Sequence, residues 1–195
     1  MRILLGVAAA LPTLFLSYVL LNVWAKPLAW EGWVPFAVGL MVIEFLVVHS
    51  GAFVGMLAAK TLSWRARIGA FGALAVFYGL MALGVAWGVD SLSLVVMLLA
   101  IMTGRFVAAV RGDPFMGQRI SAGVFLYITV VFASVFLPVP EWGITDTVLN
   151  DVYPDRGEGI WQQEPERAIA AGALYFLLIG LLELNWGMRS GAQAA

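Results

Sequence analysis

Apolar residues run through this chain in long unbroken stretches, with charges and helix breakers confined to the gaps between them. A helix needs ~20 mostly apolar residues to cross a bilayer. Six stretches qualify, at about 3–25, 33–59, 68–88, 92–110, 120–139 and 168–187. The gaps read "KPLAWEGW", "KTLSWRAR", "GVDS", "RGDPFMGQR" and the long "PVPEWGITDTVLNDVYPDRGEGIWQQEPER". The expected fold is all-α, a single polytopic membrane domain over 1–195 with six transmembrane helices. Asp90 and Ser91 would turn the chain between the third and fourth spans, and Pro12 and Pro35 would fall in or near first turns. Within the acidic external loop at 140–166, "TDTVLNDVY" predicts a short helix lying on the membrane through Val148, Leu149 and Val152.

Composition strengthens that reading. Hydrophobic residues make up 62% of the 195 and charged ones 12%, and the mean hydropathy is +0.93. A water-soluble domain this apolar would leave too much greasy surface exposed. Arg2 before an apolar run imitates a signal peptide, whose apolar core is only ~7–15 residues. Here the run continues to Ala25 and ends at Trp24 and Lys26, so a retained first span is expected.

Charge sets the orientation, because cytoplasmic loops are enriched in Lys and Arg. With a cytoplasmic N-terminus, Arg2, Lys60, Arg65, Arg67, Arg111, Arg119 and Arg189 lie inside, and Lys26, Arg156 and Arg167 outside. This seven-to-three bias predicts that both termini are cytoplasmic, in a bacterial inner membrane. Tryptophans favour headgroup depth, and the same topology puts Trp24, Trp30, Trp33, Trp87, Trp142 and Trp161 at the outer interface.

Several chemistries fall away. The absence of cysteine removes disulfides, thiolate metal sites and thiol nucleophiles. One histidine cannot make a bis-histidine haem or a dinuclear metal site. The net charge of −1 carries no nucleic-acid footprint. The loop acids are too widely spread for a calcium loop. "FLVVH" contains the FxxxH fragment of intramembrane CAAX-type proteases, but their paired glutamates and second histidine are missing. No motif names a cofactor, and an enzyme is the least favoured class.

What remains is a set of polar groups inside apolar spans, where each charge costs ~2.5–3.5 kcal/mol at a helix centre. Glu44, His49, Arg105, Glu183 and Tyr127 fall at related depths, from mid-membrane into the cytoplasmic half. At ~100° per residue, Glu44, Gly51 and Gly55 share a stripe suited to close helix packing, and His49 is rotated ~140° away, flanked by Phe45 and Phe53. Glu44 is expected as a hydrogen-bonded neutral acid, with a pathway member or a lipid- or interface-facing acid as the alternatives. His49 is expected as a neutral core imidazole donating to a carbonyl or hydroxyl rather than a ligand or proton shuttle, while Arg105 either snorkels or pairs with Glu44 or Glu183. Two functions follow: a permease-like or proton-linked protein with this polar cluster on its pathway, or a non-catalytic accessory subunit using Glu44 and the glycines to bind a membrane partner or a second copy. The bilayer is the one partner both require.

Overall fold

A computed structural model describes residues 2–57, 63–88, 92–111 and 116–193. The described residues are 86% helical, with no strand among them. The helices are α1 (Arg2–Ala25), α2 (Trp33–Leu57), α3 (Trp64–Gly88), α4 (Ser93–Arg111), α5 (Met116–Phe136), α6 (Asp146–Val152), α7 (Ile160–Gln163) and α8 (Pro165–Gln193), with a 3₁₀ turn at Pro27–Trp30. Each apolar run of the sequence coincides with one long helix. Among the described residues, four helices contain windows long and apolar enough to cross a membrane: Trp33–Gly51, Trp64–Gly88, Gly117–Phe136 and Pro165–Trp186. In α1 and α4 the apolar stretches are shorter, Ala10–Ala25 and Leu94–Thr103.

Burial points the same way as apolar length, toward a membrane protein. Only 11% of the α3 window and 22% of the α5 window is covered by protein. Val76, Phe77, Leu80, Phe125, Ile128 and Phe132 stand exposed along those helices. A soluble monomer rarely shows apolar patches beyond a few hundred Å², whereas a bilayer accepts them. By contrast, 72% of the α2 window is buried, so α2 is covered on most of its circumference.

The chain divides into two compact units, Met1–Val38 with Phe125–Ala195, and Gly39–Val124. In the first unit α1 packs along α8. Leu14 opposes Gly180, Thr13 meets Glu183 and Ser17 meets Ala173. Residues rising along α1 therefore meet residues falling along α8, so these helices are antiparallel. Val19, Leu20 and Val23 are buried on one side, and Ala168, Ile169 and Ala173 on the other. Pro12 lies well inside α1 rather than in a first turn, because the helix begins at Arg2. Pro35 is near the start of α2 and Pro165 opens α8, positions where a missing N–H costs little.

In the second unit α3 packs on α4, with Tyr78, Ala82, Ala86, Leu94, Leu98 and Met102 buried. Phe106 of α4 stacks on Phe71 at 4.3 Å between ring centroids and on Trp64 at 6.3 Å. The turn expected at Asp90 and Ser91 lies outside the described residues.

Candidate functional site

The second unit holds the single histidine. On α2, Phe45, His49 and Phe53 succeed one another at four-residue spacing and share a face, as the helical arithmetic requires. All three are exposed, although 72% of the Trp33–Gly51 window of this helix is buried. Phe45 lies parallel to the imidazole at 5.6 Å and 9°, and Phe53 presents its edge at 5.3 Å and 75°. The partner comes from α3: Tyr78 Oη is 2.7 Å from His49 Nδ1. Tyr78 is only 1% exposed, so the phenol is a fixed post that orients an accessible ring. Nε2 has no hydrogen-bond partner among the described residues. With Tyr78 donating, the proton of the neutral imidazole sits on Nε2; with His49 charged, the direction reverses and Phe45 offers a cation–π face.

Glu44 is buried on the same helix, as is Gly51. Gly55 and Arg105 lie in α2 and α4 by their backbone, but the surroundings of Gly55 and the side chain of Arg105 are outside the described residues.

Glu183 and Tyr127 belong to the first unit. Thr13 Oγ1 donates to Glu183 Oε2 at 2.6 Å, and one turn along α1 Ser17 Oγ donates to the Ala173 carbonyl at 2.8 Å. A polar seam thus runs along the α1–α8 contact. Tyr127 is buried, with its ring edge-on to Tyr175 of α8 at 5.7 Å and 88°. No buried side-chain nitrogen or oxygen among the described residues lacks a partner. The structure brings His49 to Tyr78 and Glu183 to Thr13. Neither hydroxyl was marked by the sequence as a partner. Thr13 and Ser17 stand at i, i+4 on an apolar helix, and that spacing was the available signal.

The opposite end of the first unit carries a second polar knot. Arg167 Nη1 donates to the carbonyls of Ser134, Val135 and Leu137 at 2.8, 3.3 and 3.2 Å. These are among the last carbonyls of α5 and the residue after it, which have no intrahelical donor. A cation here also complements the negative end of the helix dipole. The Arg167 Nε pairs with Glu164, and Trp161 Nε1 reaches Ser134 Oγ at 3.3 Å. The segment that follows α5 docks on α1: Trp24 Nε1 donates to Pro140 O at 3.0 Å, and Gly143 N donates to Trp24 O at 3.1 Å. Trp142, with φ of 53°, sets its ring edge-on to Trp24 at 4.9 Å. Helix α6 forms where expected, capped by Thr145. Its apolar side differs from expectation, since Leu149 and Val152 are 3% and 7% exposed and so are buried within the protein instead of facing lipid.

No group of three or more metal-ligating side chains is found among the described residues. Comparison with family models, with curated proteins and with solved structures returns no match. The class supported by fold and burial is a helical membrane protein.

Proposed function

We propose that this chain is a six-span inner-membrane protein with both termini in the cytoplasm, and that it conducts protons or a proton-coupled small solute. The antiparallel pairing of α1 and α8 supports an even number of crossings, since it brings the two ends of the chain to one side of the first unit. The basic-residue bias supports the cytoplasmic assignment of that side. A reporter fused after Ala195 should be active only in forms that work in the cytoplasm; activity restricted to the far side would overturn the orientation.

One observation carries the functional reading: an exposed imidazole, oriented through Nδ1 by a buried phenol, inside an apolar helix. Structural polar groups in membranes are ordinarily turned inward and spent on neighbours. His49 keeps Nε2 open, so it can take and release a proton while Tyr78 holds the ring. In liposomes held with the exterior more acidic than the lumen, the wild type should acidify the lumen. His49→Phe should abolish that flux while preserving folded protein, and Tyr78→Phe should reduce it. Wild-type liposomes that never conduct would remove this reading.

A second reading is favoured by the same stripe. Phe45, His49 and Phe53 form an aromatic ridge that a partner helix could cover, with Nε2 bonded to a partner side chain, as in an accessory subunit or a second copy of the chain. Crosslinking from position 45 or 53 to another chain in membranes, together with absent flux, would favour it.

A further inference from the structure

Two cavities flank the C-terminal end of α1 at the loop end of the first unit, one lined by Trp24 and the other by Ala25. One, of about 190 Å³, runs between α5, α8 and the docked segment and is lined by Val130, Ala133, Leu137, Ala170, Leu174 and Trp24. The other, of about 320 Å³, begins at the next residue, Ala25, and is lined by Lys26, Leu28, Gly143 and Val148. The first is smaller than the ~300–1,000 Å³ pockets that hold compact ligands. Its walls are apolar and its polar groups are spent: Trp24 Nε1 on Pro140 O, Ser134 Oγ on Val131 O. It therefore suits a slender alkyl chain with no hydrogen-bonding needs. Val130 and Leu174 lie deepest along the spans, and Trp24 with Leu137 nearest the interface.

Charge then decides what is attached to that alkyl chain. Lys26 is exposed and makes no ion pair among the described residues. Glu141, between Pro140 of the first cavity and Trp142, is an exposed carboxylate likewise without an ion pair there. The stretches 26–31 and 138–167 around them carry Glu31, Asp146, Asp151, Asp155, Glu158, Glu164 and Glu166 against Arg156 and Arg167, an acidic excess that opposes a net anion. We propose that the two cavities hold one zwitterionic aminophospholipid, an acyl chain lying in the α5–α8 groove, its phosphate at Lys26 and its primary ammonium at Glu141. Because the bilayer interior is as apolar as the groove, burying the chain selects little by itself. The headgroup charges set the preference. This inference rests on the membrane placement of the helices and is independent of any transport by His49.

The test is lipid retention by native mass spectrometry, after exchange into nanodiscs of phosphatidylethanolamine, phosphatidylglycerol or phosphatidylcholine alone. One phosphatidylethanolamine should remain per chain, and the other two should be lost more readily. Lys26→Gln should weaken retention about fivefold, the effect of ~1 kcal/mol for one basic residue at a lipid surface. Ala133→Leu and Ala170→Leu should fill the groove and abolish retention. If the groove variants do not fold, Lys26→Gln and Glu141→Gln decide, since both side chains are exposed. Retention of phosphatidylglycerol equal to or above phosphatidylethanolamine overturns the proposal, as does retention unchanged in all variants or no retained lipid at all.

Discussion

Gly143→Ala should detach the segment after α5 from the end of α1. A β-carbon placed on Gly143 would lie 2.5 Å from the Ala25 carbonyl oxygen and 2.9 Å from that of Trp24. Both are backbone atoms at a helix terminus and cannot rotate away, so the loop must retreat. Retreat breaks the Gly143 N–H bond to Trp24 O, the indole bond to Pro140 O and the edge-on Trp24–Trp142 contact. Each contributes about 1 kcal/mol. Against that loss stands some relief, because Trp142 sits in the left-handed region, a conformation costing ~1–2 kcal/mol for a non-glycine residue. The net destabilisation is then about 1–2 kcal/mol. It should appear as a lower midpoint in thermal or SDS unfolding of the detergent-solubilised protein, with altered tryptophan fluorescence and faster amide exchange at 142–145. Gly84→Ala is the control: a β-carbon there meets nothing within 4 Å, and the variant should unfold at or above the wild-type midpoint. If Gly143→Ala matches that control, the close approach to the α1 terminus does not hold the loop.

Arg167→Gln removes the cation from the end of α5 and should cost about 2 kcal/mol, from lost charge-assisted bonds to three carbonyls; Arg167→Lys, with a point charge in place of a fork, should recover only part of the midpoint. Thr13→Ala should cost little, about 0.6 kcal/mol as for typical interhelical bonds in membranes. Gly180→Leu should cost several times more, because even a β-carbon there falls 2.6 Å from Leu14 Cδ2; equal unfolding midpoints for these two variants would refute the close α1–α8 contact. Burial holds the Tyr153 phenol above its ordinary value of 10.0, so the folded state keeps its proton longer than the unfolded chain. Stability should therefore fall as pH climbs past 10, and Tyr153→Phe should flatten that decline in a midpoint-versus-pH series.

How much of this was legible depended on whether the physics was local. The six long helices follow from apolar length alone, and they begin and end close to the expected positions because charges and breakers crowd the gaps. The Phe45–His49–Phe53 face follows from rotation per residue on one helix. Arg167 was legible only as an external charge, since the carbonyls it caps are fixed by where the chain turns after Phe136. The apolar side of α6 was correctly grouped, yet sequence could not say whether lipid or protein would cover it; Leu149 and Val152 went to protein.

The missing partners share a cause. Ionisable residues announce themselves in an apolar span because each costs several kcal/mol there, and so Glu183 and His49 stood out. The groups that meet them, Thr13 and Tyr78, are hydroxyls, cheap enough to occur in membrane helices without requiring a reason. A charge in a span therefore marks half of a contact, and the other half must be sought among unremarkable hydroxyls on a helix whose register is set elsewhere. For Thr13 a clue existed in its i, i+4 partner Ser17, which makes a polar stripe that a second helix has to meet. For Tyr78 nothing comparable was present: "AVFYGLM" differs from a purely packing segment by one oxygen, and only folding shows that this oxygen points at the histidine.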